Sequence, residues 1–380
     1  MIGCLLPLLA ILAGDVVDDG GNAAPTAPDS FAPHAALQAV LGSVARQEQA
    51  ALPDDDRHPA HVAALVIDGL TGARADVDGD RPVYLASGMK LFVLIELYRQ
   101  RHAGTLDFDE QIPFTIDDVR DGAPTMNRQP IGGRYRVSQL IQWMVRDSDN
   151  AAFDLLLRRA TPQAVVEGAR RFGPIGPVLS TLETRRAVYA HLDQRARSLS
   201  ALAIRDVRWR DGFRPRLDLL KKHLGEPFGA WDAADHDAAW ATHYRSGASS
   251  APLSTAAAAL LALSRGKAVS ARDDAEILAL LRNVATSDRR IEGDLPHDVV
   301  VAHKTGSLHK RLCDLGLLTL PDNSVVVVVV AVAGASMERA EAAVARVTRA
   351  AYDVIADDRR VVRPAYSTPT RKKLTAPTTK

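Results

Sequence analysis

A serine stands three residues before a lysine in Ser87-Gly88-Met89-Lys90. At the opening of a helix, this spacing sets both side chains on one face. A serine hydroxyl is a weak nucleophile until a neighbouring group removes its proton. A lysine held away from water sheds its charge more readily and can take that proton. The positive end of the helix dipole favours the alkoxide that forms. Taken alone the pattern is common, and a serine at a helix start is ordinarily a cap.

Two further motifs follow it in the chain. Ser148-Asp149-Asn150 opens the run Ala151-Ala152-Phe153-Asp154-Leu155-Leu156. Lys304-Thr305-Gly306-Ser307 comes directly after the strand-like Val299-Val300-Val301-Ala302. A lysine beside a glycine on an edge strand attracts a carboxylate and lets a substrate backbone lie close. Thr305 and Ser307 add hydroxyl donors.

S-x-x-K, S-D-N and K-T-G in this order resemble the signature of class A β-lactamases and penicillin-binding proteins. Leu85-Ala86-Ser87-Gly88-Met89-Lys90 is similar to that family's nucleophile helix. Arg136-Val137-Ser138-Gln139-Leu140 is similar to the helix before S-D-N, and Arg290-Ile291-Glu292-Gly293-Asp294-Leu295-Pro296 to the segment before the K-T-G strand. The resemblance covers about residues 36–183 and 253–356. It implies that Ser87 is acylated, with Lys90 as its base or part of its proton relay. Ser148 would pass a proton to the leaving nitrogen, and Asn150 would position Lys90 and the substrate amide. Lys304 would hold Ser148 electrostatically and attract a substrate carboxylate, with Thr305, Gly306 and Ser307 lining the substrate. Backbone N–H groups of Ser87 and Ser307 would form the oxyanion hole. The implied substrate is a small β-lactam or a peptidoglycan-like amide, and no cofactor or metal is implied.

Three departures from the family matter. Its E-x-x-L-N segment, which carries the base for deacylation, is absent. Glu183 lies near the right place, but Thr184-Arg185-Arg186-Ala187 follows it without the leucine or asparagine. Glu183 is therefore either that base or an exposed ion-pair partner of Arg185 or Arg186, and the missing neighbours favour the second role. Next, residues 185–251 form an insertion rich in arginine and tryptophan, suited to a lid or substrate wall. Asp232, Asp235, His236, Asp237 and His243 within it are metal ligands by type, but their spacing matches no metal motif. The stretch is expected to be a solvated acidic loop. Finally, His303 precedes Lys304 and is expected to be a strand residue facing solvent.

Three functions fit this pattern. One is a serine hydrolase that acylates on β-lactam amides and deacylates slowly. Another is a peptidoglycan D,D-peptidase or an esterase using the same residues. The third is a penicillin-binding sensor or scaffold that acylates and stops.

The elements that must hold these residues follow from periodicity. Leu37, Val40, Leu41 and Val44 fall on one helix face. His61 to Ile67 and Ala73 to Val77 form a hairpin about Asp68-Gly69-Leu70-Thr71-Gly72. Helices are expected over 85–101, 137–145 with Ser138 as cap, 217–224, 256–263 and 273–284. Strands are expected over 300–303, 315–320 and 324–332, then an amphipathic helix over 337–355. The expected fold is α+β and β-lactamase-like: an antiparallel sheet with flanking helices and an inserted all-α domain. Residues 35–85 and 285–357 would make a discontinuous α/β domain, and 86–284 a helical one that includes the insertion.

Composition excludes several classes. The 380 residues are 47% hydrophobic and 24% charged, as in ordinary globular proteins and unlike disordered or fibrous ones. A net charge of +1 gives no basis for nucleic-acid binding through a basic surface. After the N-terminus no apolar run reaches the roughly 20 residues of a membrane span. Two cysteines, Cys4 and Cys313, cannot build a thiolate zinc site. Ile2 to Ala13 has the length of a signal-peptide core, though no basic residue precedes it. Export to the periplasm or medium is expected, with 1–34 as leader and tether and 358–380 as a disordered tail.

Overall fold

A computed structural model of the chain describes residues 31–362 apart from 54 and 228. Residues 1–30 of the expected leader and tether and most of the expected tail lie outside the described residues, while Ala32–Pro33, expected as tether, form a strand paired in parallel with Ala73 and Arg74. A six-stranded sheet runs β1 (Ala32–Pro33), β3 (Ala73–Val77), β2 (His61–Asp68), β10 (Val325–Ala333), β9 (Arg311–Thr319), β8 (Val300–Leu308). Every neighbouring pair is antiparallel except the short edge pair β1–β3. The α+β architecture is thus the expected one, with a single parallel pair added at one edge.

The valine run of β10 shows why this strand is central. Val326, Val328 and Val330 share a core with Leu37 and Leu41 of α1 (Ala35–Ala50) and Val344 and Val347 of α12 (Met337–Val362). Val327 and Val329 alternate to the opposite face and its larger core. A strand apolar on both faces is one covered on both faces. The second face carries α2 (Lys90–His102), α3 (Val137–Arg146), α4 (Asn150–Ala160), α5 (Pro162–Ala169), α10 (Leu253–Ser264) and α11 (Ala271–Leu281). Two short ribbons, β4 (Pro82–Tyr84) with β7 (Ser250–Pro252) and β5 (Gln111–Pro113) with β6 (Arg134–Arg136), close the loops between them.

The insertion is helical: α6 (Thr181–Ala190) leads to α7 (Ala201–Trp209), α8 (Phe213–Leu224) and α9 (Ala233–Arg245). Tyr189, Leu199, Ile204, Val207 and Leu220 give it a small core of its own.

Four expectations need correction. The K-T-G motif lies inside β8, because pairing with β9 continues from Val300 through Leu308. The stretch holding Asp232 to His243 is no loop. Asp232 caps α9 by accepting from the N–H groups of Ala234 and Asp235, so the helix starts there. Ser138 does not cap α3, which begins one residue earlier, with Gln139 accepting from the N–H of Arg136. Helix α12 runs to Val362, past the start of the expected tail, and Arg359 ties it to Asp68 at 2.9 Å.

Candidate active site

Ser87 sits in a 3₁₀ turn, Ala86–Met89, that leads into α2 at Lys90. β8 presses directly on this turn. A Cβ at Gly306 would lie 2.2 Å from the carbonyl oxygen of Leu85 and 2.9 Å from the nitrogen of Gly88. Only glycine permits that approach, so packing of the turn against β8 requires Gly306.

The Ser148-Asp149-Asn150 turn is held by its middle residue. The Asp149 carboxylate is fully buried and accepts from the N–H groups of Thr125, Met126, Ala151 and Ala152. This caps α4 and forces Ser148 into the left-handed region, φ 52°. Such a conformation in a non-glycine residue costs about 1–3 kcal/mol and needs surrounding structure to hold it. Asn150 donates from Nδ2 to the carbonyl of Asp121 at 2.8 Å. Gly122, at φ +63°, allows this, since a Cβ there would meet Asn150 Nδ2 at 2.7 Å.

Lys90 joins the motifs. Its Nζ lies 3.1 Å from Ser87 Oγ, 3.1 Å from Ser148 Oγ and 2.9 Å from Asn150 Oδ1, and also meets the Ser148 carbonyl. Lys304 Nζ donates to Ser148 Oγ at 3.1 Å and to the Thr305 carbonyl at 3.1 Å. Both lysines are buried. Burial pushes Lys90 well below its ordinary value, and the charge of Lys304 adds to this. Burial also brings Lys304 down to about 8.

Ser87, Lys90, Asn150 and Ser307 line one pocket of 70 Å³. It adjoins a 510 Å³ cavity that shares Asn150, Arg185, Ser307 and Leu308. Together they reach the size of an ordinary small-molecule site. Thr305 turns its hydroxyl to Thr286 Oγ1 at 2.5 Å, and Ser307 Oγ accepts from Arg290 Nη2 at 2.7 Å. Arg290 is itself buried and reaches Glu341 of α12 at 3.1 Å.

Glu183 does not line this pocket. It is exposed and caps its own helix: Ser180 N–H donates to Glu183 Oε2 at 2.9 Å, and Glu183 N–H donates to Ser180 Oγ at 3.1 Å. The expected ion pairs are not formed either, because both arginines turn elsewhere. Arg185 is buried and reaches Asp121 at 2.7 Å, and Arg186 donates to the carbonyl of Leu199. Among the described residues lining the pocket at Ser87 there is no carboxylate. In the adjoining cavity, burial opposes the charge of Asp121, but Arg185 and Arg208 hold its carboxyl below the usual range. Asp154 is occupied by the N–H groups of Thr181 and Leu182 and by Arg120. Sequence reasoning missed Asp121, Arg185 and Asp154, whose partners are too distant in the chain for spacing to reveal.

His303 also departs from expectation. It is buried at 2% exposure and sits 2.9 Å from the buried Asp314 carboxylate. Burial disfavours its charge, yet Asp314 outweighs this and raises the imidazole above its ordinary value. Cys313 is free and buried, and burial pushes its thiol up to about 12, so it is inert.

The chain matches the β-lactamase enzyme family over residues 44–355. No match was found among curated proteins. Among solved structures it is similar to the β-lactamase from Sphaerobacter thermophilus DSM 20745, at 21% identity and TM-score 0.58, over 84% of this chain and 96% of that one. A β-lactamase from Xanthomonas campestris pv. campestris str. ATCC 33913 is similar at 18% identity and TM-score 0.62, over 84% and 98%. A mutant of PBP-A in an acyl-enzyme complex with penicillin G is similar at 16% identity and TM-score 0.63, over 87% and 100%. At these identities the likeness is one of fold.

Proposed function

The chain belongs to the β-lactamase enzyme family, and from that premise we propose a serine hydrolase that takes β-lactam amides onto Ser87 and releases them slowly. The observation that carries this reading is Lys90 Nζ, buried and 3.1 Å from Ser87 Oγ. Its lowered affinity for a proton supports the role of base. Ser87 Oγ attacks the lactam carbonyl carbon and gives its proton to Lys90. The N–H groups of Ser87 and Ser307 stabilise the oxyanion. The C–N bond then breaks, and the leaving nitrogen receives a proton through Ser148, which both lysines contact. Lys304 attracts the substrate carboxylate, and Asn150 holds Lys90 in place. No atom leaves the acyl-enzyme, because the ring opens without expelling a group.

Deacylation needs a base for water. The lack of a carboxylate among the described pocket residues, with Glu183 turned into its own helix cap, supports slow release. The same feature favours, as second reading, a penicillin-binding protein in which the acyl form accumulates. The apolar run Ile2 to Ala13 supports action outside the cytoplasm. Among the described residues no helix is long and apolar enough to cross a membrane.

Intact mass, followed over time after mixing with benzylpenicillin, tests the proposal. An adduct of the full penicillin mass should form, persist and decay slowly, and Ser87→Ala should form none while staying folded. A folded parent that never gains the adduct overturns the reading, as does an adduct on Ser87→Ala. An adduct that never decays selects the penicillin-binding reading.

A further inference from the structure

Beside the cavity that adjoins the Ser87 pocket, the structure gathers chemistry that the spacing of the chain conceals. His58 lies in the loop before β2, Asp237 on α9 and His309 in the turn between β8 and β9. One ligand atom from each lies within 4.8 Å of the others. We propose that His58, Asp237 and His309 form a binding site for a zinc-like divalent cation that clamps the insertion onto the sheet.

The donor set fits that chemistry. Two imidazoles and one carboxylate suit zinc, with the fourth tetrahedral position left to water. His309 Nε2 and Asp237 Oδ1 are already 2.7 Å apart. Bonds of about 2.0–2.1 Å in a tetrahedron need ligand atoms about 3.3 Å apart, and the three atoms here already lie within 4.8 Å of one another. His58 is fully buried and under-satisfied. Its Nε2 faces the main-chain carbonyl of Asp237 at 3.1 Å, and its Nδ1 has no partner. Ligation through one ring nitrogen, with the other N–H kept on a carbonyl, is the usual state of a metal-bound histidine.

Lys310 is the competitor. Its Nζ lies 3.0 Å from Asp237 Oδ2 and 2.6 Å from Asp55 Oδ2. A cation held by Asp237 Oδ1 leaves Lys310 with Asp55. Asp55 and Asp237 both face Lys310, and the charge of Arg311 also reaches His58. Arg311 turns to the Tyr244 ring and the Lys310 carbonyl instead.

The consequence lies in what the clamp joins. His309 follows Ser307 by two residues and stacks on Trp240 of α9, with ring centroids 5.7 Å apart. A cation there fastens α9 to the end of the strand that borders the cleft. Asp237 belongs to a segment whose own spacing suggested no metal site, because its partners lie 179 and 72 residues away.

Zinc chloride alone is the probe. Full-length protein, stripped with chelator, is dialysed against micromolar zinc, and bound metal is counted by mass spectrometry. One equivalent should bind and raise the thermal midpoint. Asp237→Asn and His309→Gln should lose that equivalent, whereas Lys310→Met should bind severalfold more tightly, because the competing ammonium is gone. A purely structural ion pair predicts no such gain. A folded parent that retains no zinc overturns the proposal. So does a full equivalent kept by folded Asp237→Asn and His309→Gln. Should those variants not fold, the parent's stoichiometry and the sign of the Lys310→Met change decide it.

Discussion

Lys90 and Lys304 reach the same oxygen: each Nζ lies 3.1 Å from Ser148 Oγ. Burial disfavours the charge of both, and the charge of Lys304 further disfavours that of Lys90. Lys304 falls to about 8 and Lys90 well below its ordinary value. In the proposed mechanism this divides the labour near neutral pH, with a charged Lys304 for the substrate and a Lys90 prepared to lose its proton.

A pH dependence follows. Lys304 loses its charge as pH rises through about 8. Acylation by a β-lactam bearing a carboxylate should therefore fall across that range. A neutral ester of the same β-lactam should show no such fall. Lys304→Ala should slow acylation by the carboxylate substrate by roughly 10- to 150-fold, the loss of a charged hydrogen bond worth about 1.5–3 kcal/mol. Lys304→Arg should be milder, since it keeps the charge in altered geometry. Second-order acylation rates of the three proteins, measured across neutral and alkaline pH, check this. Equal pH profiles for acid and ester would sink it.

Glu183→Gln should change neither acylation nor deacylation. The glutamate is exposed and its contacts are those of a capping box. Glutamine keeps that box, so stability should move by less than about 1 kcal/mol. Burst and steady-state rates with a chromogenic β-lactam separate the two steps. A selective collapse of deacylation would show that Glu183 swings into the cleft.

His303→Gln should destabilise the fold by about 3–5 kcal/mol, because it takes the cationic partner from the buried Asp314 carboxylate. The folded state raises the pKa of His303, so it binds more protons than the unfolded state. The contribution is fully present below the unfolded value of about 6.5 and is lost as pH rises through the folded value. Denaturant titrations at several pH values should show that loss in the parent and its absence in the variant. Identical pH slopes would refute the pair's role.

The sequence alone carried what is local or ordered along the chain. Ser87 and Lys90 are three residues apart at a helix start, so their meeting follows from one turn of backbone. The hairpin, the valine strand and the order of the three motifs were legible in the same way, and with them the fold. Tertiary structure decided what depends on distant partners. Ser148 meets Lys304 across 156 residues, and Asp121 meets Arg185 across 64. His303's burial has no sequence signal, whereas the Ser180-x-x-Glu183 spacing of a capping box does signal Glu183's orientation. β8 is an edge strand, which polarity alone would leave facing water. It is buried because the nucleophile turn and Arg290 cover it, so a histidine there must find Asp314 within the protein. Periodicity encodes which face of an element is apolar, but not which other element will cover it, and that covering is what lowers the proton affinity of Lys90 and Lys304.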